Sequence, residues 1–179
     1  MRKVLYILGQ LSDEDVDWLS QNGTRKRAAQ GDVLIAQGKP LSDMYIILDG
    51  KMSASIKGLG KVADLGSGEI VGEMSFIDSR PPSASIIVEE DATVLALSQD
   101  VINQKLLQDI GFAARFYKAL ATFLSDRMRG TVQTMGYGDN DGGLDDEIEL
   151  EGELDLNVLD SVHLAGARFD RMLKKLIGA

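Results

Sequence analysis

The sequence contains no cysteine. That removes disulfides, thiolate metal sites and thiol nucleophiles together. A single histidine, His163, argues against a histidine-cluster metal site and against a Ser/His catalytic pair within one chain. No apolar run approaches the roughly 18–20 residues that a membrane span requires. The opening stretch MRKVLYILGQ turns polar too soon for a secretory signal, so the cytoplasm is the expected compartment. These absences weaken most metabolic chemistries, and a binding or regulatory module is expected in place of an enzyme. The carboxylate pairs Glu73/Asp78 and Asp145/Asp146 have no nucleophile or metal set beside them.

The chain has 179 residues, of which 44% are hydrophobic and 26% charged, the composition of one soluble globular domain. Its net charge of −9 is unevenly placed. Residues 136–160 carry ten acidic groups and no basic one, whereas residues 1–135 carry 17 acidic and 15 basic groups. Such a belt repels phosphates and disfavours non-specific nucleic-acid binding. It lacks the spacing of a calcium-binding loop and reads as a solvated linker, with no metal site.

Four zones follow along the chain. Residues 1–23 hold a helix that starts on the capping pair Ser12/Asp15, carries Trp18 as a packing anchor and stops at Gly23. Residues 24–98 change to strand-like runs: Val33–Ile35, Met44–Leu48, Met52–Ile56, Val62–Leu65, Ser85–Val88 and Thr93–Leu97. Glycines divide them, and the Asp49-Gly50 step is the expected hairpin turn. Short strands at close spacing predict an antiparallel sandwich, barrel or jelly roll. Residues 99–135 predict two helices, the first ending at Gly111. The second is long, with Phe112, Phe116, Leu120, Phe123, Leu124, Arg127 and Met128 at helical spacing. Beyond an acidic Gly/Asp linker at 136–153, a terminal helix at 154–179 places Leu159, Val162, Gly166, Phe169, Leu173 and Leu176 on a short heptad seam. That seam serves either a dock on its own domain or a dimer or partner contact.

The chemistry-bearing stretch is GEIVGEMSFIDSRPPSASI, residues 68–86. It leaves a strand, makes one helical turn, turns again at Pro81-Pro82 and re-enters a strand. A glycine ahead of a short helix lets backbone N–H groups face an anion. Glu73 there is suited to accept from sugar hydroxyls or to cap the helix. Ser83 is suited to donate to a phosphate oxygen or to neighbouring backbone.

This run resembles the phosphate-binding cassette of cyclic-nucleotide-binding domains, the fold of catabolite activator protein and of cyclic-AMP-dependent kinase regulatory subunits. The upstream GDVLIAQGKPLSDMYIILDGKMSASI, residues 31–56, is similar to the early strands of that family. The resemblance covers about residues 13–135. It implies an α+β domain built mainly on an eight-stranded antiparallel jelly roll, a double-stranded β-helix. N-terminal helices would flank it, with a long helix 112–135 as lid and dimer helix; the extra terminal helix follows. It further implies a ligand, cyclic AMP or cyclic GMP. Glu73 of the Gly72-Glu73 pair would hold the ribose, Met74 and Ser75 would present backbone N–H groups to the phosphate, and Ser83 and Ala84 would close around it.

One position departs. Where the kinase pattern carries its phosphate-binding arginine this chain has Pro82, with neither charge nor N–H. Loss of such a charge costs about 2–5 kcal/mol, roughly 30- to several-thousand-fold in affinity. Arg80, two residues earlier, is the candidate substitute. The family's transcription factors carry a basic winged helix-turn-helix after the long helix, whereas the 44 residues that follow Met135 here begin with the acidic belt; DNA binding is not expected. Two functions follow. One is a stand-alone regulatory module that senses a phosphate-bearing ligand and signals through a protein partner, as a homodimer. The other is the same fold without nucleotide, kept as a dimerising or docking scaffold. Pro82 favours the scaffold; Gly72-Glu73 and Ser83-Ala84 favour the sensor.

Overall fold

The computed structural model describes residues 8–134 and 156–178, with side chains over 8–129 and 164–178. After helical residues 8–10 come α1 (Asp13–Asn22), β1 (Thr24–Ala28), β2 (Val33–Ile35), β3 (Asp43–Ile56), β4 (Gly60–Gly66) and β5 (Ile70–Val71). Next are α2 (Glu73–Asp78), β6 (Ser85–Ser98), α3 (Gln99–Gln108), α4 (Ile110–Thr134) and α5 (Leu156–Ile177). The expected linker at 136–153 lies outside the described residues, as do the side chains of Leu159, Val162 and His163. Among the described residues no helix is long and apolar enough to cross a membrane.

The strands form one antiparallel sheet in the order β1-β6-β3-β4, with β2 added on β6 and β5 on β3. The antiparallel jelly roll flanked by helices is the fold that the sequence predicts, with a different strand count. Eight strands were implied; six are present among the described residues, because β3 and β6 each join two of the expected runs. The Asp49-Gly50 hairpin does not form. Asp49 pairs with Thr93 and Lys51 with Glu90, which sets Gly50, at φ 95°, opposite both Asp91 and Ala92, so that β6 carries the extra residue of a bulge there. A side chain there would meet the Ala92 backbone at 2.6 Å. The turn that does form, between β3 and β4, uses Gly58 and Gly60, both at positive φ. β1 was not anticipated: its TRKR run has no apolar alternation, and pairing with β6 from Thr24↔Ala96 to Ala28↔Ala92 makes it a strand.

Alternation along β3 divides the core in two. Met44, Ile46 and Leu48 face the helices, where they meet Leu95 and Leu97 of β6, Val16 and Leu19 of α1, and Phe112, Phe116 and Phe123 of α4. Tyr45, Ile47 and Met52 belong to the second cluster, with Leu65, Val71, Val88 and Val94.

The helices are stopped and joined by specific contacts. Ser12 and Asp15 close a reciprocal capping box at the start of α1. Gly23 ends α1 in extended backbone at φ −87°; a Cβ there would strike Leu95 at 2.5 Å, so packing is what demands glycine. The break between α3 and α4 falls at Asp109, whose carboxylate accepts from the Phe112 N–H at 2.8 Å. Gly111 lies inside the first turn of α4 and does not end α3. Asp15 also takes both Nε and Nη2 of Arg115 in α4, at 2.6 and 2.9 Å. Burial pushes the Asp15 carboxyl up, but Arg115 and the backbone and hydroxyl of Ser12 outweigh it and hold it below its ordinary value.

α5 docks in cis on α1. Its buried positions are Ala165, Phe169 and Met172, with Leu173 and Leu176 packed beside them; Gly166 of the expected seam is only half buried. Cations on the helix flank this stripe: Arg168 reaches Asp13 at 2.6 Å, while Arg171 and Lys175 both reach Asp17 at 2.5 Å.

Phe169→Ala is expected to cost about 3–5 kcal/mol in urea unfolding, as for a fully buried aromatic, and Phe169→Asp more; unchanged stability would refute the cis dock. Asp15→Asn should cost roughly 1–3 kcal/mol at pH 7. Because the folded carboxyl sits low, that contribution is present at neutral pH and is lost as pH falls through its folded value. Denaturation at pH 7 and pH 3 would show the difference between wild type and variant shrinking in acid.

Candidate functional site

The cassette is positioned by two strands and one glycine. Ile70 and Val71 pair with Ile46 and Tyr45 of β3, and the chain then turns at Gly72, at φ 88°. A side chain at 72 would lie 2.9 Å from Leu41 and 3.2 Å from the Asp43 carbonyl, so conformation and space both require glycine. The turn delivers Glu73 into α2, whose other end closes on Ser79 in left-handed backbone, its N–H donating to the Ser75 carbonyl. The double-proline loop is tied to the β2–β3 connection: the Gly38 N–H donates to the Pro82 carbonyl at 2.9 Å, and the Gln37 N–H to Ser85 Oγ at 3.0 Å.

A cavity of about 940 Å³ lies between this cassette, the β3–β4 hairpin and the C-terminal half of α4. Its walls are mostly aliphatic, from Ile35, Ala54, Ile56, Val62, Leu65 and Ile86. Of the residues singled out in the sequence, Gly72, Glu73, Met74, Ser75, Ser83 and Ala84 all line it, as does Pro82. Arg80 does not. Its side chain is 83% exposed, with Nε 3.9 Å from Asp78, because the rigid proline pair that follows keeps it outside the loop.

Glu73 is 1% exposed, and its carboxylate faces the backbone N–H groups of Glu73 and Met74 in the first turn of α2. Its Oε1 accepts from Arg127 Nη1 of α4 at 2.6 Å. The same guanidinium donates to the Ile70 carbonyl at 3.2 Å, stands 4.0 Å from Glu69 and lies 4.6 Å over the Phe123 ring. Burial pushes the Glu73 carboxyl up; Arg127 and the backbone N–H groups of Glu73 and Met74 pull against it without overcoming it. α4 is therefore latched to the cassette through the residue expected to hold a sugar.

The sequence reading placed Arg127 on the long helix without assigning it a role, and Asp64, Asp126 and Arg129 went unremarked; all four line the cavity. A signal for Arg127 was present. It continues the Phe116, Leu120, Phe123 stripe, and a cation on the core-facing side of a helix requires a buried counter-charge. The assembled site offers an apolar wall for a flat ring, a buried carboxylate for hydroxyl donors and, among the described residues, cationic charge from α4.

Comparison with known proteins places the fold. Residues 25–109 match the family model of the cyclic nucleotide-binding domain. The chain is 34% identical over 94 residues to the cyclic AMP receptor protein of Thermus thermophilus, which covers 50% of this chain and 44% of that protein. It is 30% identical over 101 residues to the cAMP-dependent protein kinase regulatory subunit of Hypocrea atroviridis, 56% of this chain and 21% of the relative. The matches thus span less than half of either relative's length. A crystal structure of a cyclic nucleotide-binding domain from Methylobacillus flagellatus superposes with a TM-score of 0.68 at 26% identity, covering 80% of this chain and 85% of the other. Residues 25–109 form a domain of the cyclic nucleotide-binding family, on the jelly-roll fold of catabolite activator protein.

Arg127→Ala would leave Glu73 buried with its nearest cation removed and is expected to destabilise the protein by about 3 kcal/mol. A carboxyl whose folded pKa is raised weakens the fold when ionised, so this penalty is fullest at high pH and falls as Glu73 protonates. Urea unfolding at pH 8 and pH 5 should show the larger loss at pH 8; an equal loss at both would refute the pairing as its cause.

Proposed function

We propose that this chain is a regulatory module that binds a cyclic nucleotide in the cavity beneath α4 and signals by the disposition of that helix. The observation that carries the reading is the buried Glu73, presented by Gly72 to the wall of the cavity and joined to α4 through Arg127. A ribose hydroxyl would compete with Arg127 for the same carboxylate. Ligand then acts through its different affinity for the latched and released positions of α4. A protein partner in the cytoplasm would read the change. Tyr117 and Met128 share one exposed face of α4 and are the surface on which a homodimer would pair. Nothing in this reading asks the cavity to perform catalysis.

A second reading has its own observation. Pro82 stands where the family pattern carries an arginine, and its carbonyl is spent on Gly38. The same fold would then serve as a docking scaffold whose Glu73–Arg127 latch is permanent.

Calorimetric titration of low-micromolar protein with cyclic AMP and cyclic GMP separates the two. The expected result is heat of binding that Glu73→Ala abolishes. No heat up to about 1 mM nucleotide, the edge of weak affinity, would retire the sensor for both nucleotides and leave the scaffold.

A further inference from the structure

Among the described residues, the cations that line the cavity are Arg127 and Arg129, both of α4, and none comes from the cassette wall, where Pro82, Ser83 and Ala84 stand. Arg80 is the nearest cassette cation in sequence and faces solvent beside Asp78. Arg127 is committed to Glu73, to the Ile70 carbonyl and to the Phe123 ring. Arg129 differs: it is exposed, lines the cavity and makes no ion pair or hydrogen bond among the described residues. A long, unengaged guanidinium at the rim of a cavity is free to form two parallel bonds with a phosphate.

We propose that Arg129 of α4 neutralises the anionic group of the bound ligand, the task that an arginine of the cassette performs in the family pattern. The proposal rests on the cyclic-nucleotide reading above and names the residue that answers Pro82. Charge recognition is thereby moved from the sheet to the moving helix. The phosphate contact itself holds α4 over the cavity, and affinity and helix position become one event. Arg127 takes no direct part in the anion contact, since its removal unbalances Glu73.

Titrating the full chain with cyclic AMP and cyclic GMP, as wild type, Arg129→Gln, Arg129→Lys and Arg80→Gln, tests this. Arg129→Gln should weaken nucleotide binding by about tenfold or more, the worth of charged hydrogen bonds. Arg129→Lys should recover part of the loss, and Arg80→Gln should bind as wild type does. The unliganded unfolding midpoint of Arg129→Gln should stay at the wild-type value, since the side chain is exposed and makes no ion pair or hydrogen bond among the described residues. Wild-type binding that Arg129→Gln leaves unchanged, or that Arg80→Gln weakens instead, overturns the proposal and leaves the sensor reading standing. Adenosine or guanosine binding as tightly as its cyclic phosphate also overturns it, by showing a ligand read without its anion. No heat with the wild-type chain overturns the sensor reading itself and the proposal with it, before any variant is compared.

Discussion

A carboxylate enclosed by aliphatic walls must be given a counter-charge or give up its ionisation, and the placement of α4 follows from that requirement. Glu73 is put into the wall by a glycine whose conformation and crowding disfavour any side chain, and α4 lies so that Arg127 reaches it. The helix then brings Phe112, Phe116 and Phe123 onto the outward face of β3 and β6, and the larger hydrophobic cluster assembles around them. Site and core therefore share one helix. Any event at Glu73 reaches aromatic packing through Arg127 and the Phe123 ring beneath it, about one turn of α4 away.

The helical layer is tied together by ion pairs of unequal worth. Asp15 is nearly inaccessible and receives a two-pronged contact from Arg115, so the registration of α1 against α4 is strongly specified. The links between α5 and α1 are more exposed: Arg171 and Lys175 share Asp17 at the surface. Those contacts add little energy each and are weakened by salt. The burial of Ala165, Phe169 and Met172 does most of the holding. α5 is thus the helix whose attachment rests most on apolar burial and least on charge.

Much of this was legible beforehand because local chemistry decided it. The capping box at Ser12, the stop at Gly23 and the Gly72-Glu73 turn are short-range features that residue types specify. Tertiary context settled what local signals could not. Asp49-Gly50 reads as a hairpin until both flanks are seen to pair with β6, when the glycine proves to lie opposite a bulge. The TRKR strand has no pattern of its own and takes its identity from its neighbour. The terminal helix was readable as amphipathic, but a one-residue rotation of its buried stripe depended on the shape of α1. Within the site, the cassette residues were visible in sequence whereas the cations of α4 were not, because about 50 residues and a folded sheet separate them from the cassette.

The position of α5 has a consequence for how the sheet ends. β1 is a terminal strand, and such strands expose a row of backbone groups on which another chain can build. Here Arg25, Lys26 and Arg27 stand in succession along it, all exposed, and Arg25 donates to the Leu176 carbonyl at the close of α5. A second β1 approaching this border would meet like charge, with the last turn of a helix beside it. The same helix that completes the apolar layer thus guards the sheet against growing by one strand from molecule to molecule.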